Sequence, residues 1–84
     1  MALSVNVGDA FVAGQNISVT INGATERPST SVRLDDGVEL DAVLRLIDDQ
    51  KYKLRFLIPA NTTGHVEITV KSGSESEDRK IAVS

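Results

Sequence analysis

The sequence predicts an all-β domain, a sandwich of about seven short antiparallel strands in two sheets. Apolar residues recur at every second position in one segment after another. That is the spacing of strands with one face on a core and the other toward water. Between these segments stand Gly, Asn, Asp and Pro clusters, at the intervals typical of sandwich turns.

Leu3, Val5 and Val7 alternate with polar residues until Gly8-Asp9 breaks the run. Ile17, Val19 and Ile21 alternate with Asn16, Ser18, Thr20 and Asn22, and Asn22-Gly23 closes that strand as a turn. Val32 and Leu34 alternate with Ser31 and Arg33 up to Asp35-Asp36-Gly37. Val38, Leu40, Ala42, Leu44 and Leu46 then share one face as far as the turn Asp48-Asp49-Gln50. Tyr52, Leu54, Phe56 and Ile58 follow, and Pro59 ends their strand because it lacks the amide hydrogen a ladder needs. After the turn at 61–64, Val66, Ile68 and Val70 alternate with His65, Glu67, Thr69 and Lys71. The segment 72–78 reads as a polar, flexible loop leading to Ile81 and Val83. One stretch, 38–49, admits a helix, since Leu40, Val43, Leu44 and Ile47 would form an apolar stripe. The strand is preferred there because a tight turn leads straight into the β-branched and aromatic run that follows.

With 84 residues, 40% hydrophobic and 25% charged, the chain has material for one small core. It is expected to be a single domain over 1–84, excised from a larger multidomain protein. No cysteine is present, so disulfides and thiolate metal sites are excluded, and a bacterial, phage or intracellular source is favoured. The net charge of −3 disfavours nucleic acid as a general partner. No apolar run approaches the ~20 residues of a membrane helix. The start, Met1-Ala2-Leu3-Ser4-Val5, has neither the basic beginning nor the apolar stretch of a signal peptide.

The phrase from Ile58-Pro59-Ala60 through Gly64-His65-Val66-Glu67-Ile68-Thr69-Val70 resembles the penultimate-strand region of bacterial and phage immunoglobulin-like (Ig-like) domains. The segment Gly14-Gln15-Asn16-Ile17-Ser18-Val19-Thr20-Ile21-Asn22-Gly23 looks like their second strand. The resemblance implies an Ig-like β-sandwich, used as a spacer in adhesins, a module of secreted enzymes or a decoration on phage capsids and tails. The penultimate strand carries no tyrosine corner and the chain has no tryptophan, unlike antibody-type and standard fibronectin type III modules.

Catalytic and metal chemistry find little material. His65 is the only histidine, and its place after a turn predicts an exposed surface residue. Paired carboxylates would need a cleft deeper than so small a domain offers. Asp35, Asp36, Glu39 and Asp41 surround one turn, Asp48 and Asp49 another, and Glu75, Glu77 and Asp78 a third. None matches a calcium-loop pattern, and acidic residues are good turn formers in their own right. Two triplets, Asn16-Ile17-Ser18 and Asn61-Thr62-Thr63, fit a glycosylation sequon but are common in Asn- and Thr-rich strands. Sugar platforms need exposed aromatics, and Phe11 is the only one not assigned to the core.

The sharper hints lie between 38 and 58. Lys51, Lys53 and Arg55 should project from one face, guarding a sheet edge or meeting an acidic partner. If the even-numbered residues of this hairpin point inward, Val43, Ile47 and Leu57 point outward. A register pairing Ile47 with Lys51 would set Val43 opposite Arg55. Three outward aliphatics on one hairpin suggest an interface, unless a bulge swaps the faces mid-strand.

The expected function is therefore a non-enzymatic Ig-like structural or binding module. It would be displayed on a virion or a bacterial cell-surface protein and mediate adhesion or spacing. Its binding residues are expected to be Val43, Ile47, Arg55 and Leu57, with the 72–78 loop a second candidate. No catalytic residue, metal site or cofactor is expected. The partners would be a protein or cell surface and the neighbouring domains of the parent chain. The alternative is a calcium-dependent or carbohydrate-binding accessory domain of a secreted enzyme.

Overall fold

The computed structural model describes residues 3–84. Eight strands run in order: β1 (Ser4–Asn6), β2 (Ala10–Phe11), β3 (Asn16–Asn22), β4 (Ser29–Leu34), β5 (Ala42–Asp48), β6 (Lys51–Leu57), β7 (Gly64–Ser72) and β8 (Glu75–Val83). They form two four-stranded sheets, β1-β3-β6-β5 and β2-β8-β7-β4. The architecture is the expected Ig-like sandwich with one strand more than the periodicity suggests. That strand, β2, pairs parallel with β8, while all other ladders are antiparallel. Gly8-Asp9 ends β1, and the chain crosses there to the second sheet.

The alternation dictates the core. From the first sheet come Val5, Ile17, Val19, Ile21, Leu54, Phe56 and Ile58; from the second come Phe11, Val32, Val66, Ile68, Val70, Ile81 and Val83. Fully burying a Val, Leu, Ile or Phe side chain stabilises the fold by roughly 1.5–3 kcal/mol. Phe11 is not a spare aromatic. It is buried and meets Phe56 edge to face across the sheets, with ring centroids 6.1 Å apart at 72°. A two-residue strand is too short to show alternation, which hides this role from the sequence.

Two segments depart from expectation. The presumed loop at 72–78 is the end of a long hairpin: Ser72 pairs with Glu75 around a two-residue turn, and the ladder continues back to Gly64–Val83. Gly73, at φ +60°, supplies the conformation that turn requires. The continuous strand expected from Val38 to Leu46 is divided between the sheets. Leu34 donates its amide to the Val38 carbonyl and Leu40 to the Val32 carbonyl, so 38–40 folds back along β4. The chain then crosses and joins the other sheet as β5 beside β6. The crossing leaves Val38, Ala42 and Leu46 exposed and Leu40, Leu44 and Tyr52 only half-buried, where a core face was expected.

Candidate functional site

The β5–β6 hairpin turns through Asp49-Gln50. Gln50 adopts φ +59°, and the Asp48 carboxylate accepts the Asp49 amide at 2.8 Å. The register sets Val43 opposite Arg55, as expected, followed by Leu44–Leu54, Arg45–Lys53 and Leu46–Tyr52. The expected pairing of Ile47 with Lys51 does not form. A register shift makes Asp48 the partner of Lys51 and leaves Ile47 as the extra residue. The shift sets Asp48 opposite Lys51 in the ladder, where its carboxylate caps the turn rather than forming an ion pair.

Six large hydrophobics are exposed among the described residues, and four of them, Val43, Leu46, Ile47 and Leu57, lie on this hairpin. Val43 is 61% exposed and Leu57 54%, and both sit on the outward face, diagonal to one another across the ladder. Ile47 lies about 13 Å along β5 from Val43 at strand rise. The structure thus brings Val43, Arg55 and Leu57 together and sets Ile47 apart at the hairpin tip. Leu46, assigned inward by its alternation, is 61% exposed and joins Ile47 there.

The outward face between these clusters is basic. Lys51, Lys53 and Arg55 do share one face, but β6 is an inner strand of its sheet and guards no edge. Arg45 adds a fourth cation directly opposite Lys53, an arrangement that costs stability when nothing neutralises it. On the other side of β6 this row meets Asn16, Ser18, Thr20 and Asn22 of β3, none of them acidic. The ion pairs among the described residues are Arg33–Glu39, His65–Asp35 and Arg79–Glu77, so none engages these four cations. Arg45 was missed as a site residue, although carrying the Val43–Arg55 register two pairs further would have revealed it.

The backbone of β5 is a sheet edge. The edge of the other sheet, β4, is covered over its C-terminal half by 38–40, whereas β5 has no strand on its far side among the described residues. Arg27, from the β3–β4 connection, donates to the Leu44 carbonyl at 3.4 Å in an exposed bond. β5 contains no proline and no inward-pointing charge, two common protections of an edge.

The remaining candidates are bound into the fold. Asp35 Oδ2 accepts the His65 amide at 3.0 Å and lies 3.4 Å from His65 Nδ1, locking the start of β7 to the end of β4. Asp36 Oδ1 accepts the Val38 amide, and Glu39 meets Arg33 and Ser31. Asp35, Asp36 and Asp48 thus cap nearby backbone amides, and among the described residues no three His, Asp or Glu side chains converge to hold a metal ion. Both phenylalanines are buried and Tyr52 is half-buried. Two open, polar-lined hollows of about 250 and 390 Å³ lie on the outer β4–β7 face and beside Asp35-Asp36. No helix among the described residues is long and apolar enough to cross a membrane.

No family model and no curated protein matches the chain. Solved structures do. The filamin domain of Lin-41 superposes with a TM-score of 0.80 at 7% identity, over 98% of this chain and 91% of that one. A twitchin kinase fragment from C. elegans, containing kinase and immunoglobulin domains, matches with a TM-score of 0.56 at 17% identity. The match spans 98% of this chain but only 20% of the twitchin fragment. At such identities the likeness shows the fold, an Ig-like sandwich, and nothing finer.

Proposed function

We propose that this domain is a non-enzymatic Ig-like module that binds another protein through the β5–β6 hairpin. Val43, Arg55 and Leu57 form the centre of the surface and Ile47 its tip, with Leu46 exposed beneath it on the inward face. The observation that carries this reading is that four of the six exposed large hydrophobics among the described residues lie on one hairpin. Solvent-facing aliphatics of this density mark contact surfaces. The sandwich supplies rigidity: β6 is held between two strands and roots the outward row in the core.

The absence of an enzyme role is part of the same proposal. His65 hydrogen-bonds a carboxylate and, among the described residues, no hydroxyl, so that pair serves the fold. The resemblance to bacterial and phage Ig-like domains supports a setting in a larger chain on a virion or a bacterial surface. There the module would space or adhere, meeting a neighbouring domain or a separate protein. Proteins with Ig-like or filamin-type domains offer a structural precedent only.

A display library of eight-residue peptides, selected on the domain, tests this reading. Selected peptides should bind the parent domain and lose at least about tenfold in affinity against a Val43→Asp, Leu57→Asp double variant. Both positions are exposed, so the variant should melt within a few degrees of the parent. Binders indifferent to the double variant, or a library that yields none, would remove the hairpin from consideration.

A further inference from the structure

Building on that reading of the hairpin, we propose that the segment it receives is an extended acidic stretch of a partner protein, added to β5 as a fifth strand of the β1-β3-β6-β5 sheet. Three independent features of β5 converge on this occupant.

The first is the free edge. Among the described residues the far side of β5 carries no strand, and its one engaged group is the Leu44 carbonyl, held by Arg27 in an exposed 3.4 Å bond. A backbone amide from an incoming strand would replace that guanidinium. Main-chain pairing of this kind gives affinity, while alternate side chains give specificity.

The second is the uncovered inner face. Ala42 and Leu46 point toward the sandwich yet are exposed, and Leu44 is half-buried. Strands in a sheet lie about 4.8 Å apart, so an added strand would lay its inward side chains over these three. Those side chains must be apolar.

The third is charge. Side chains of the added strand that face outward would stand beside Val43 and Arg45, with Lys53 and Arg55 one strand further in. The cations have no carboxylate partner among the described residues, and Arg45 faces Lys53 across the ladder. Carboxylates at the outward positions relieve that repulsion. A partner with apolar and acidic residues alternating is thus the complementary one. A second copy of this domain fits worse, because two β5 strands paired symmetrically about their middle residue oppose Arg45 to Arg45.

The probes are three end-blocked octapeptides in which Val alternates with Glu, Gln or Lys, titrated into the isotope-labelled domain. The Val–Glu peptide should shift and protect the amides of 42–47, and bind about tenfold more tightly than the Val–Gln peptide, the ratio expected of one or two charge contacts. The preference should shrink as salt rises. Arg45→Glu should reverse it in favour of the Val–Lys peptide, in a domain that melts no lower than the parent because the Arg45–Lys53 repulsion is gone. Equal affinity for Val–Glu and Val–Gln peptides would overturn the acidic partner and leave the hairpin surface standing. Failure of all three peptides, while library-selected binders still recognise Val43 and Leu57, would overturn strand addition. Concentration-dependent shifts at 42–47 without any peptide, accompanied by a dimer mass, would give the edge to a second copy instead.

Discussion

Ser72 is the one buried polar side chain among the described residues, 2% exposed at the end of β7. Its hydroxyl accepts the Glu26 amide at 3.1 Å and donates to the Glu26 carbonyl at 2.9 Å, pinning the β3–β4 connection to the hairpin. Ser72→Ala would orphan both backbone groups, at a cost of ~1–3 kcal/mol. For a domain of this size that lowers Tm by about 4–8 °C per kcal/mol, readable in a thermal melt. An unchanged Tm would mean that water replaces the hydroxyl at no cost. Gly64 presents a second strict requirement. It sits at φ +93°, and a Cβ there would collide with Asp35 Oδ2. Gly64→Ala should therefore destabilise by more than the ~1–2 kcal/mol of a left-handed alanine alone. Adding Asp35→Ala should return the steric part but not the backbone part, and a double-mutant cycle separates the two. Strict additivity would show that the carboxylate moves aside freely. Neither contact was legible beforehand. Both join residues about thirty or more positions apart, and turn chemistry speaks only of neighbours.

At the level of elements, period-two alternation located β3, β6 and β7 nearly to the residue, because their inner faces meet the core along most of their length. It misled at β5. Alternation registers which side chains share a face, but not whether anything covers that face. Val38, Leu40, Ala42, Leu44 and Leu46 keep their period of two while the chain passes from one sheet to the other. Ser72–Asp78 failed in the opposite direction: its polar side chains line a hairpin tip that extends beyond the core, so no apolar residue marks it as strand. These differences in cover predict a gradient of local stability. Amides of β5 should exchange faster by at least about tenfold than those of β3 and β6 in native-state hydrogen exchange. Equal protection across the sheet would show that β5 is held by something other than its side chains.

On the scale of the whole molecule, an acidic domain carries an outward sheet face with four cations and no acidic neighbour on its inner strands. The candidate surface was half legible. Val43 opposite Arg55, with Leu57 beside them, follows from the register, whereas the bulge at Ile47, the exposure of Leu46 and the free edge of β5 depend on how the sheets end. What the domain binds is proposed from that same geometry. The most direct test is an amide-exchange map of the domain alone and saturated with its best library-selected peptide. Protection gained across 42–47, with β1, β2 and β4 unchanged, is the result this account predicts. Protection appearing on β4 or β1 instead, or none on any strand, would contradict it.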